Sequence, residues 1–351
     1  MALIVYDGFD HYNNGSDFTQ RTGTLQWAYQ SYPNFVSPGR NGYGKLLNVG
    51  GTTVYGTLNV QLPTITLGVA VNFTNGTGNV YFYLNDVVSG ASQLTLVFSP
   101  LTNLINIYRG NSFGGSVLLA TGLNAIVANG WNFIEFHSTI SATAGTLALR
   151  VNGQAIPSVP DQTGINTFNS NASSATVSAI VMQGDGGHTT YVDDLYICDG
   201  TTGPGSYPNN LFVGDSRCST LFPDGNSSVT WTPLTGANWQ EVSETAMDSD
   251  TSYNRTNTAG AQDSFNFNTL ASDINQVIGI QVTVALRKED AGARTVAPVL
   301  VIGGTTYQGT AVSVDTTYLY ITSLWPINPH TSASWTAADV NGLQAGYVVV
   351  T

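Results

Sequence analysis

Residues 190–200 read TYVDDLYICDG, with Asp193 and Asp194 side by side in a run that otherwise has the texture of a β-strand. Asp is disfavoured there because its short side chain competes for backbone hydrogen bonds. Neighbours on a strand point to opposite faces, so one carboxylate can meet water while the other meets a core, an edge or a ligand. Other candidate chemistry is sparse. Glu135, in WNFIEFHS, is the only Glu of the first 200 residues, and no second carboxylate stands two or four positions beyond it. Glu241, Glu244 and Asp248 in QEVSETAMDSDTSY would share one side at helical spacing, or else form a solvated acidic loop. Glu289 and Asp290 beside Arg287 and Lys288 read as a charged hairpin tip. The histidines, His11, His137, His188 and His330, are far apart, and no G-x-S-x-G elbow, H-E-x-x-H pair or Gly-rich phosphate loop accompanies them. QGDGGH follows a strand with no helix after it and reads as a hairpin turn.

The elements that must position these residues are strands. Alternation runs through ALIVYD, TVYGTLNV, ITLGVAVNF, VYFYL, QLTLVF, LINIYR, WNFIEFHS, TLALRVN, TVSAIVMQ and TYVDDLYIC, separated by Gly, Asn, Ser and Pro clusters. In WNFIEFHS, Trp131, Phe133 and Glu135 share one face and Asn132, Ile134, Phe136 and Ser138 the other. Both faces carry apolar residues, which predicts a central strand. TLALRVNG ends in Asn152-Gly153, a two-residue hairpin signal. About twelve short strands predict a large antiparallel sandwich over 1–199. The Gly- and Pro-rich stretch 200–212 reads as a linker, and strands such as DSFNFN, TVAPVLVIGG, TYLYITSLW and AGYVVVT predict a second, smaller β-sandwich over 213–351. One helical turn is predicted at Thr336–Val340, capped by Ser334 or Thr336. The fold class is all-β, in two sandwiches.

Composition narrows the function classes. Of 351 residues only 9% are charged, while 42% are hydrophobic and 11% aromatic, a balance that favours a folded core over disorder. The net charge of −12, with ten scattered basic residues, argues against binding nucleic acid through phosphates and against a polybasic membrane patch. No apolar run reaches the ~20 residues of a membrane span, and the N-terminus lacks a signal-peptide pattern. Synthesis in a cytoplasm leaves Cys198 and Cys218 as reduced thiols. Abundant Tyr, in VYFYL and TYLYITSLW on both strand faces, supplies rings on which sugars stack; core and subunit interface are the commoner fates of such residues.

Two stretches, NGWNFIEFHSTISATAGTLALRVNG (129–153) and YVDDLYICDG (191–200), resemble the concanavalin A-like, laminin-G-like jelly roll over about residues 1–200. Sandwiches of that kind that cleave glucans carry Glu, Asp and Glu alternating on one strand, which sets two carboxylates ~5 Å apart for retaining hydrolysis. The solitary Glu135 departs from that pattern, so the chain reads as a non-enzyme. The resemblance also implies a structural calcium site. Asp193 matches the late-strand Asp that supplies it, and Asp7 and Gly8, in YDGFD, lie where the N-terminal partner would be. The competing reading keeps Asp193 and Asp194 as edge-strand carboxylates facing solvent or backbone amides.

Over nearly the whole chain, YDGFDHY, VDDLYICDG, DSDTSY, VTVALRKEDAG and SWTAADVNGLQAGYVVVT resemble tailed-bacteriophage virion proteins that pair a concanavalin-like domain with a second β domain. That resemblance implies a location on the virion as a head decoration, fibre or tail component, with other virion proteins as partners. A glycan-binding adhesin for host-surface attachment is the alternative, and a polysaccharide depolymerase the enzymatic one. The low charge and the symmetry common among such components predict a homo-oligomer, with a trimer foremost.

Overall fold

In the computed structural model the chain divides into two compact units. The structure describes all residues except 1, 43, 75–77, 113, 188, 202–211 and 275. The first unit takes in residues 1–9, 14–19 and 24–218, and the second 10–13, 20–23 and 219–351. This division differs from a linear reading at three places, residues 10–13, 20–23 and 213–218. Residues 213–218 belong with the first unit. Residues 20–23 belong with the second, where the Thr22 amide donates to the Tyr320 carbonyl and the Tyr320 amide to the Gln20 carbonyl. Most of the expected linker lies outside the described residues.

The first unit is a β-sandwich built from a nine-stranded and a seven-stranded antiparallel sheet. In the nine-stranded sheet, Trp131–Thr139 pairs with Gly145–Val151 on one side and Thr64–Phe73 on the other. Thr190–Asp199 follows, pairing with both Thr64–Phe73 and the chain's first strand, Leu3–Asp7. The Glu135 strand is therefore interior, as its two apolar faces predict. The seven-stranded sheet runs in the order Val117–Gly122, Leu104–Arg109, Ala91–Ser99, Val80–Asp86, Val177–Gly184, Thr53–Leu62, Leu25–Tyr29. Alternation sends Leu67, Val69, Val71, Phe73 and Phe136 from one sheet, and Phe82, Leu84, Leu96, Phe98 and Ile107 from the other, into a core where all are at most 3% exposed. Asn152 (φ 52°) and Gly153 (φ 72°) both adopt the left-handed region that a two-residue hairpin turn requires.

The second unit packs a six-stranded sheet against the ribbon of Ile280–Leu286 and Leu319–Trp325. Phe265, Val296, Ile321, Tyr347 and Val349 form one core cluster, and Leu300, Trp335, Leu343 and Ala345 another. The helical turn spans Ala337–Gly342. Thr336 caps it, its hydroxyl accepting from the Asp339 amide while the Asp339 carboxylate accepts from the Thr336 amide. Hydrogen bonds from the Thr336 hydroxyl and amide hold the Asp339 carboxyl below its ordinary range.

Candidate functional site

The adjacent aspartates sit on a β-bulge. Asp193 pairs with Ala70 and Tyr196 with Gly68, so the strand spends three residues where its partner spends two. Asp194 is the extra residue, with φ of 51°, and it is buried, as is Asp193. The expectation that alternation would place one of them in water fails for this reason. The cation they serve is Arg40. Its backbone amide donates to Asp193 Oδ2 at 2.8 Å, and its Nη1 lies 3.3 Å from Asp194 Oδ2. Its Nη2 reaches both oxygens of Asp215 at 2.6 and 2.7 Å, and the guanidinium lies over the Phe133 ring at 5.2 Å. The remaining oxygens accept from backbone: Asp193 Oδ1 from the Asp194 amide and Asp194 Oδ1 from the Cys218 amide.

Asp7 and Gly8 do not join this group. Asp7 is buried with Oδ1 accepting from the Phe9 amide and Oδ2 from Trp27 Nε1 at 2.9 Å. Calcium needs six to eight oxygens, whereas the oxygens of Asp7 and Asp193 face N–H donors. Among the described residues no three His, Cys, Asp or Glu converge on a common point. Asp7, Gly8 and Asp193 thus do not fit the calcium set that the resemblance implies. Thermal unfolding is accordingly expected to be the same in millimolar Ca²⁺ and in EGTA, since an ion bound only by the native state would raise the melting temperature.

Beside the aspartate pair, Glu135, Gly68 and Tyr196 form one row across three strands. Gly68 has no side chain, and the Tyr196 ring occupies the space it leaves. The Tyr196 hydroxyl donates to Glu135 Oε1 at 2.5 Å, and the Gly214 amide donates to the same oxygen at 2.6 Å. Residues 212–218 thereby run over this part of the sheet, with Phe212 stacked by Arg150 and meeting His137 edge-on. Burial raises the Glu135 carboxyl above its ordinary range, against the hydrogen bond from Tyr196. A carboxyl raised in the folded state contributes stability below its unfolded value that is lost as pH rises through the folded one. Gln can accept both bonds without a charge, so Glu135→Gln is expected to be at least as stable as wild type at pH 7. Its stability should also fall less between pH 4 and 7, as read by urea unfolding.

The other carboxylates brace loops. Glu241 is buried in the turn Asn238–Val242 and accepts from the Thr235 hydroxyl and amide and the Tyr253 amide. Glu244 and Asp248 both accept from the Ser252 hydroxyl. Arg287 pairs with Asp250 and lies over Tyr318, so the expected hairpin tip is joined to a neighbouring loop. His137 Nδ1 is 2.9 Å from Thr66 Oγ1, and burial lowers its basicity. His188 lies outside the described residues.

The outer face of the seven-stranded sheet differs in kind. Following the register across the strands gives a row Ala28, Tyr55, Val181, Tyr83, Thr95, Tyr108, Leu118. A second row reads Thr53, Gln183, Tyr81, Val97, Asn106, Thr121, and a third Gln26, Thr57, Ala179, Asn85, Ser92. None of these side chains is charged. Tyr55 is 36% exposed, Tyr81 and Tyr108 are half-buried, and Tyr83 packs among them. The Tyr81 and Tyr83 rings lie 5.8 Å apart and within 9° of parallel, and burial with Tyr81 alongside pushes the Tyr83 phenol up to about 12. Amides and hydroxyls that both donate and accept, interleaved with rings, can meet sugar hydroxyls and the apolar faces of pyranoses. Sequence reasoning placed the aromatics of VYFYL on both strand faces but did not find the row, because its members come from strands distant in sequence.

No protein-family model and no curated protein matches the chain. Among solved structures, a Bacillus subtilis protein of unknown function with a galectin-like fold is 10% identical, covering 56% of this chain and 96% of its own, at a TM-score of 0.40. The carbohydrate-binding module CBM66 from Bacillus subtilis is 9% identical over 48% of this chain and 92% of its own, at 0.33. The Caenorhabditis elegans galectin LEC-6 is 17% identical over 38% and 81%, at 0.28.

Proposed function

We propose that the first domain binds carbohydrate on the outer face of its seven-stranded sheet, as an attachment module rather than a hydrolase. The observation that carries this reading is the neutral face itself: four tyrosines set among Gln, Asn and Thr across three register rows, with no charge in any of them. Glu135, the single Glu of this domain, is 1% exposed and engaged by Tyr196 and Gly214, which is a bracing position. The likeness of the sequence to tailed-bacteriophage virion proteins supports a setting on the particle, where such a module would hold host-surface glycans. Purified particles that lack the protein by mass spectrometry would contradict that setting.

A glycan array probed with wild type and with the double variant Tyr55→Ala/Tyr108→Ala tests the binding itself. Wild type is expected to retain specific glycans, and the double variant to lose them while keeping a near-native melting temperature, since both rings are partly exposed. An array blank for wild type, or undiminished for the variant, would contradict the reading.

A further inference from the structure

Tyr55 and Tyr108, the two accessible rings of the first row, stand four strands apart, with Val181, the buried Tyr83 and Thr95 between them. Adjacent strands lie about 4.8 Å apart, which puts Tyr55 and Tyr108 roughly 19 Å apart across the sheet. That interval is close to two of the roughly 10 Å two-sugar repeats of an extended β-1,4-linked chain, in which every second pyranose turns the same face to one side. A compact terminal sugar would instead call for polar groups converging on one point. The row runs on to the edge strand at Leu118, which is 52% exposed, so a long chain can continue past the last ring. The three rows hold no cation that could pair with a uronic acid or sialic acid carboxylate.

We infer that the tyrosine row is a platform for an extended, neutral β-1,4-linked polysaccharide laid across the strands. This rests on the carbohydrate-binding reading above and names its ligand class. Isothermal titration calorimetry of the full chain with β-1,4-linked gluco-, xylo- and manno-oligosaccharides of two and six sugars tests it, with α-1,4-linked glucohexaose and hexagalacturonate as comparators. At least one β-linked hexasaccharide is expected to bind roughly tenfold or more tighter than its disaccharide and than either comparator. Tyr108→Ala is expected to shrink that length dependence more than it weakens the disaccharide. Equal affinity for two and six sugars, preference for a comparator, or no binding of any β-1,4-linked oligomer would overturn the inference while a positive glycan array left carbohydrate binding standing. A blank array alongside would overturn both.

Discussion

Replacing Arg40 with Met is expected to destabilise the first domain by about 3 kcal/mol, seen as a lower urea midpoint with an unchanged slope. The substitution keeps the backbone amide that donates to Asp193 and much of the side-chain volume over Phe133, but removes the charge beside Asp193 and Asp194. Asp194's side chain is only 3% exposed, so its carboxylate would be left in the interior without the guanidinium beside it. Most of the cost arises there. The Asp215 end is 45% exposed and contributes little, because water screens it. Adding Asp194→Asn to Arg40→Met should therefore recover part of the loss, while Asp215→Asn should not. Lys at position 40 should rescue incompletely, since a point charge cannot reach Asp194 and both Asp215 oxygens together.

Gly68→Ala is expected to cost about 3 kcal/mol, an overpacking effect at the upper end of its usual range. A Cβ there would lie 1.9 Å from Tyr196 Cε1 and 2.3 Å from Cζ. The ring has no room to yield. It is fully buried, stacked with Phe133 at 6.2 Å, and tied through its hydroxyl to Glu135 and the Val213 amide. Tyr196→Leu removes the ring atoms that collide, so the double variant Gly68→Ala/Tyr196→Leu should be less destabilised than the sum of the two single changes. Differential scanning calorimetry on the four proteins reads this directly. Strict additivity would mean that the collision is not the source of the cost.

Where period-two alternation holds, the sequence predicts the structure well. The inward sets of Thr64–Phe73 and Val80–Asp86, the interior position of Trp131–Thr139 and the turn at Asn152-Gly153 follow from side-chain parity and turn chemistry alone. Asp193 and Asp194 defeat parity because one extra residue enters the strand, and nothing in YVDDLYI, such as a glycine, announces it. Their partner Arg40 lies more than 150 positions away, in the loop SPGRNG, so no local pattern could pair them. For the tyrosine face, each strand tells which of its residues point outward. The row of Tyr55, Tyr83 and Tyr108 depends on strand order and register, which a long-range fold decides. Burial of Glu135 depends likewise on residues 213–214 returning over the sheet.

The most direct test of carbohydrate binding at this face is hydroxyl-radical footprinting of the full chain with and without a glycan recovered from the array, read by mass spectrometry. Phenol rings oxidise readily when exposed, so the tyrosines report their own coverage. Bound glycan is expected to protect Tyr55, Tyr81 and Tyr108 while leaving Tyr32, which is 55% exposed and outside the three rows, at its free rate. Protection confined to Trp131 and Tyr191 of the nine-stranded sheet, or to the second unit, with Tyr55 and Tyr108 unchanged, would contradict the assignment of the binding face.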